Sequence, residues 1–289
     1  MSETASIQDY VGRMRKEEDE VTLGAVRRMA ATLDQDPDAY RRGSDMPESW
    51  YVLLFGPTAL ERTLARDGHV TTGDFLPPLH NRRRMFGGRR VRFHQPLRVG
   101  DRVERVSKLT RAEEKKGRSG PFTLVTLVHE LNTGNGLDVT EEQDVVYRVP
   151  HAIGSSPAAG TPPPQATLHP AKPDWSHTIA PDPVLLFRYS ALTFNSHRIH
   201  YDLPYTRDIE GYPALVMNGG LTALLLVETA RQHLPGRIAG YRARAIHPLF
   251  VGQSIAFNGR MTGDGAELWA CGPLGTLAYQ VTVSVGQRP

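Results

Sequence analysis

The chain has 289 residues, 39% of them hydrophobic and 22% charged, which is enough to bury one large core or two smaller ones and excludes wholesale disorder. A formal net charge of +3 gives no sign of a nucleic-acid partner, and no apolar run approaches the roughly 20 residues that span a bilayer. Cys271 is the only cysteine, which excludes an internal disulfide and a cysteine-rich metal site. MSETASIQDYVGRMRKEEDE at the N-terminus has no apolar signal-peptide core, so a soluble cytoplasmic protein is expected.

In chain order, residues 22–33 (TLGAVRRMAATL) read as an amphipathic helix with Thr22 as its cap. Arg82, Arg83, Arg84, Arg89, Arg90 and Arg92 then crowd together, either as a solvated rim or as a site for a phosphate-bearing ligand. PLRVGDRV at 96–103 leads into TLVTLVHEL and QDVVYRV, whose alternation fits antiparallel strands. Residues 150–183 hold nine prolines and can sustain neither a helix nor a central strand, so they read as an extended linker. Beyond it, residues 184–193 (VLLFRYSALT) parallel the first helix. Residues 220–234 (GLTALLLVETARQHL), apolar almost all round, form a buried helix stopped by Pro235 and Gly236.

The halves repeat. PLRVGDRV returns as PLFVGQSI at 248–255, and Arg90 and Arg92 return as Arg242 and Arg244. An internal repeat decides the architecture. The expectation is an α+β fold in which an antiparallel sheet wraps a buried helix, built twice. The units are residues 1–149, a linker at 150–182, and residues 183–289.

The chemistry concentrates in YSALTFNSHRIHYD, residues 189–202, where polar groups crowd the end of an apolar helix. Such density beside a core is costly unless the groups are paired or used, and histidine is the natural acid/base near neutral pH. This segment resembles the active-site motif of the MaoC-like, R-specific enoyl-thioester hydratases and dehydratases, Asp-x-Asn-Pro-(Ile/Leu)-His. His200 falls at the motif's catalytic histidine, Asn195 at its aspartate, His197 at its asparagine and Arg198 at its proline. FNSHRIHYD resembles the branch containing hydroxyacyl-thioester dehydratases of type 2 and the mesaconyl-CoA and itaconyl-CoA hydratases. Met217-Asn218-Gly219-Gly220 resembles the turn that opens the central helix.

The resemblance implies a double hotdog fold and reversible hydration of an enoyl-CoA, with a small branched dicarboxylic acyl group as the leading substrate. Two alternatives stand beside it: dehydration of fatty 3-hydroxyacyl thioesters on coenzyme A or a carrier protein, and an inactive acyl-CoA-binding module. It implies His200 as base, Gly219 and Gly220 as the thioester-carbonyl site, and His197, Arg198, Tyr201 and Asn218 around the substrate, with Arg198 a candidate for a substrate carboxylate. Arg90, Arg92, Arg242 and Arg244 are candidates for coenzyme A phosphates. An amide cannot accept a proton at neutral pH, so Asn195 is expected to orient water and a carboxylate must be sought elsewhere. Asp202 is nearest in sequence, and Glu210 and Glu228 are more remote. No cofactor or metal ion is expected, since His197 and His200 have no evident third ligand. The partners expected are acyl-CoA, with no nucleic acid or membrane, and the chain is expected to be a monomer or a homodimer. Residues 31–40, the first half's counterpart of the motif, hold no histidine, so that half is expected only to shape the acyl pocket.

Overall fold

The structure, a computed structural model, describes residues 6–70, 75–77, 83–117, 120–148, 169 and 171–286; Arg82 and most of the proline-rich segment lie outside them. Alternating apolar and polar residues build strands β2 (Arg83–Phe93), β3 (Arg102–Gly117), β4 (Gly120–Thr133) and β5 (Gly136–Arg148) in the first half. The second half contributes β7 (Ile238–Ala245), β8 (Ile255–Thr262), β9 (Gly265–Cys271) and β10 (Leu277–Val285). Two edge strands, β1 (Met14–Glu20) and β6 (Trp175–Ile179), complete one antiparallel sheet in the order β1-β3-β4-β5-β2-β7-β10-β9-β8-β6.

That order reads the same from either end once each strand is matched to its repeat partner. At the centre, Arg90 on β2 pairs directly with Arg242 on β7, and these two are themselves repeat equivalents. A pseudo-twofold axis therefore passes through this pair. The pleat sends Arg90, Arg92, Arg242 and Arg244 to the outer face, because the alternate residues Val91, Phe93, Tyr241 and Ala243 are buried in the main core. The edge strand β1, MRKEEDE, carries so much charge that further strand pairing is disfavoured.

Among the described residues four helices flank the sheet: α1 (Leu23–Thr32), α2 (Pro183–Leu192), α3 (Leu203–Asp208) and α4 (Gly219–His233). Thr22 and Asp182 cap α1 and α2, accepting from Ala25 N and Leu185 N. In α4, Leu221, Leu224, Leu226 and Val227 are buried against Phe257, Leu268 and Val281. At about 25 cal/mol per Å² of apolar area, each such side chain contributes roughly 1.5–3 kcal/mol. None of the four helices is long and apolar enough to cross a membrane.

Two expectations need correction. The linker does not run to residue 182: residues 175–179 form β6, paired with β8, so the second unit begins before α2. This stretch lies between Pro173 and Pro181, and an edge position asks least of it. The buried helix is also not repeated among the described residues. The inner face of the first half instead carries a polar row, with Ser107 Oγ 2.7 Å from His129 Nδ1 and Arg89 ion-paired to Glu141 at 3.3 Å. A cavity of about 160 Å³ opens there, lined among others by Tyr51, Arg89, Arg105, His129 and Glu141.

Candidate active site

His200 is held by backbone, not by chance packing. After α2 the chain turns through Phe194 at φ +49°, and Asn195 Oδ1 accepts from His197 N at 3.0 Å. A single 3₁₀ turn, Arg198–His200, follows. Val216 N donates to Ile199 O, and Val216 O accepts from His200 Nδ1 at 2.8 Å. A carbonyl can only accept, so this bond places the neutral ring's proton on Nδ1 and leaves Nε2 with its lone pair. Nε2 faces Asn218 Nδ2 at 3.4 Å, a contact too long to occupy it strongly. Burial, with a smaller push from the charge of His69, brings the His200 pKa down to about 4, against the Val216 bond that favours the charged ring. His200 is therefore a neutral base across the physiological range.

Asn218 caps α4 by accepting from Gly220 N at 2.7 Å, which also fixes the orientation of its amide. The Gly220 N–H is consequently spent, which corrects its expected role in binding the thioester carbonyl. The Gly219 N–H has no partner among the described residues and sits at the positive end of the helix dipole. Glycine is required at 220 for packing: a Cβ there would lie 2.6 Å from the Tyr189 hydroxyl. Phe86 and Tyr279 flank Gly219, and the Tyr279 hydroxyl is buried with no hydrogen-bond partner.

The other expected residues disperse. Asp202 does not meet His200: Oδ1 accepts from Tyr205 N as the cap of α3, and Oδ2 is ion-paired with Arg198 at 2.6 Å. Arg198 is committed in turn, to Asp202, to Arg66 O at 3.1 Å and over the Tyr205 ring, so it is not presented to a substrate carboxylate. Tyr201 is 48% exposed and donates to Ser196 O. Glu210 accepts from the Tyr205 hydroxyl. Glu228 is buried and accepts from Gln35, Ser49, Trp50 and Arg231, joining α4 to the first half. Arg90 is paired with Glu142 and Asp144. Arg92, Arg242 and Arg244 are exposed beside it on the outer face, away from α4, so none of the four faces the His200 site as a phosphate grip.

What the sequence reading missed comes from the first half. Gly68 packs so tightly on the motif that a Cβ would overlap Ser196 O. Ser196 Oγ donates to Gly68 O at 2.6 Å and Arg198 N to Asp67 O at 2.9 Å. This clasp brings the His69 ring 4.1 Å from that of His197, whose ring in turn meets His200 edge-on at 5.4 Å. Asp67 Oδ2 lies 3.0 Å from His69 Nδ1. Burial raises the Asp67 pKa, but hydrogen bonds from His69 and the charge of the His69 and His197 imidazoles win and bring it to about 2. The ligand atoms of Asp67, His69 and His197 lie within 4.8 Å of one another, a spacing a cation could use; the direct Asp67–His69 hydrogen bond marks the set as a carboxylate–imidazole dyad. The first half, expected only to shape the acyl pocket, thus also places Asp67 and His69 beside the motif. Nothing in RDGHV, residues 66–70, signals it in sequence.

Comparison with known proteins agrees with this architecture. The family model of hydroxyacyl-thioester dehydratase type 2 matches residues 49–251. The mesaconyl-C(4)-CoA hydratase of Chloroflexus aurantiacus is 42% identical over 96% of this chain and 97% of its own. A solved MaoC-like dehydratase superposes with TM-score 0.72 at 17% identity, covering 98% of this chain and all of the other. A Mycobacterium tuberculosis protein described as a double hotdog gives 0.57 at 14% identity, over 95% and 96%. At such identities these two structures speak to the fold alone, which is the double hotdog. With a family match across most of its length and a full-length relative at 42% identity, the chain belongs to the hydroxyacyl-thioester dehydratase type 2 family.

Proposed function

We propose that the chain hydrates a short dicarboxylic enoyl-CoA of the mesaconyl type, reversibly. The observation that carries the reading is the neutral, buried His200, whose open Nε2 faces the N-terminus of α4 through Asn218. The thioester carbonyl accepts from the Gly219 N–H, and the helix dipole stabilises the enolate charge that develops there. His200 Nε2 takes a proton from water while the water oxygen bonds to the β-carbon. The π electrons move onto the carbonyl oxygen, and the α-carbon then recovers a proton from the imidazolium. Dehydration is the reverse. The reaction uses no metal ion or redox cofactor, and coenzyme A enters with the substrate. Both hotdog units come from one chain, so a monomer and a dimer serve equally.

The dicarboxylic substrate is supported by the relative named above and by Arg89. This side chain is only 12% exposed; it donates to the Tyr51 hydroxyl and lies over the Phe86 ring. Its Nε is shared with Glu141 in an ion pair at 3.3 Å, and the guanidinium lies near Tyr279 and Tyr189, the residues that flank Gly219 and Gly220. A buried Arg89–Glu141 pair on the inner face suits a polar, carboxylate-bearing acyl group better than a long alkyl chain.

The test is the loss of ultraviolet absorbance of the conjugated enoyl thioester on mixing with crotonyl-, mesaconyl-, itaconyl- and long-chain enoyl-CoA. Turnover confined to the dicarboxylic pair and abolished in His200→Ala is expected. Preference for the long-chain substrate would assign the protein to fatty-acyl dehydration, and binding without turnover to an inactive acyl-CoA module.

A further inference from the structure

We infer that Asp67 and His69, from the other hotdog unit, form with His197 a relay that supplies the carboxylate the catalytic motif lacks. The inference rests on the hydratase reading and adds positioning residues to it. The motif has Asn195 where a carboxylate is expected, and that amide is used in the turn, accepting from His197 N. The other candidate carboxylates are spent: Asp202 on Arg198 and the α3 cap, Glu210 on Tyr205, Glu228 on the interface. Among the described residues, Asp67 is the carboxylate that reaches His200 through imidazoles in ring contact, His69 and His197.

The connection is built by the fold. Asp67 O, Gly68 O and Arg66 O each accept from the motif, through Arg198 N, Ser196 Oγ and Arg198 Nη1. Three bonds across about 130 residues of sequence fix the loop against it, and Gly68 is the residue whose lack of a side chain permits the approach. Asp67 accepts the Nδ1 proton of His69, whose ring lies against that of His197. When His200 takes the proton from water, positive charge appears in a buried ring. The Asp67 charge, carried through His69 and His197, stabilises it, as a carboxylate behind a histidine does in other acid–base sites. No atom is exchanged beyond the proton that His200 takes from water and returns to the α-carbon. The other groups around the relay are the Arg198–Asp202 ion pair, Arg66 and the Tyr205 ring. Arg198 is neutralised by Asp202, and Arg66 is exposed; Asp67 offsets the positive charge of the His69 ring, which acts against protonation of His200.

The experiment compares Asp67→Asn, His69→Gln, their combination and Ser196→Ala with the full-length wild type, on whichever enoyl-CoA the wild type turns over best. Thermal melts identify any variant that is merely misfolded. Asp67→Asn is expected to cut kcat by about 10²-fold with KM little changed, and to move the acid limb of kcat/KM to lower pH, because removing a negative charge lowers the pKa of the base. The double variant should lose no more than the worse single one, as residues acting as one unit do. Ser196→Ala, which removes one strand of the clasp but no charge, should lower the melting temperature while keeping the wild-type pH profile. Wild-type kcat and pH profile in Asp67→Asn would overturn the relay, as would the same kcat loss in Ser196→Ala, which would make the loop a structural clasp. Zinc added in stoichiometric amount that binds the wild type and raises turnover, with binding lost in Asp67→Asn, would overturn it in favour of a metal site. Absence of turnover in the wild type on every substrate would instead defeat the hydratase reading, and His200→Ala separates the two.

Discussion

The buried neutral His200 makes a prediction about stability that needs no substrate. In the unfolded chain its pKa is 6.5, and in the folded protein burial holds it at about 4. The depressed value means that the unfolded state binds more protons between these limits, so stability rises with pH across that window. The penalty is absent above pH 6.5, grows as pH falls, and is complete below the folded value. A difference of about 2.5 units at 1.36 kcal/mol each is roughly 3 kcal/mol. Substituting His200→Gln removes the titration while keeping a donor for Val216 O. Urea unfolding of both proteins at about pH 7 and about pH 4 isolates this group, since the other titrations cancel in the difference. The wild type should lose about 3 kcal/mol relative to His200→Gln on going to the lower pH. A difference that stays constant with pH would refute the argument that His200 is held neutral by burial, and with it the assignment of His200 as a base at neutral pH.

Three further outcomes follow from the same geometry. Glu228→Ala strands the Trp50 indole, Ser49 and Gln35 donors in the interface between α4 and the first half; a cost of about 3 kcal/mol corresponds to a fall of roughly 5 °C in Tm for a chain this size by calorimetry. Gly220→Ala drives a methyl to 2.6 Å from the Tyr189 hydroxyl, so it should lose about 2 kcal/mol of stability and most of its turnover, with Tyr189→Phe in the same chain restoring part of both. Arg89→Met combined with Glu141→Gln, which avoids leaving a buried carboxylate unpaired, should raise KM for mesaconyl-CoA by about 30-fold, equivalent to about 2 kcal/mol for a charge-assisted hydrogen bond. Crotonyl-CoA should be unaffected in steady-state kinetics, and equal losses on both substrates would remove Arg89 from carboxylate recognition.

By itself the sequence determined what depends on local periodicity and short motifs. The amphipathic α1, the all-round apolar α4, the repeated Pro-Leu-x-Val-Gly blocks and the long strands after them were legible, because side-chain burial repeats at 3.6 or 2 residues whatever the partner. Arg90 and Arg242, matched by repeat in the sequence, turned out to sit face to face on the pseudo-twofold axis. The FNSHRIHYD segment was legible as the candidate site, since its polar residues crowd into nine consecutive positions. Strands β1 and β6 were not legible: one is nearly all charged and the other lies among prolines, and edge strands need neither apolar alternation nor full pairing. Which carboxylates lie near the motif was decided only by the tertiary structure. Asp202 is two residues from it in sequence yet turns away to cap α3 and bind Arg198, whereas Asp67 is brought to the cluster by a glycine contact and three hydrogen bonds from the other half. Proximity in sequence constrains only backbone reach, while the direction of a side chain and its pairing are settled by whichever distant segment packs against it.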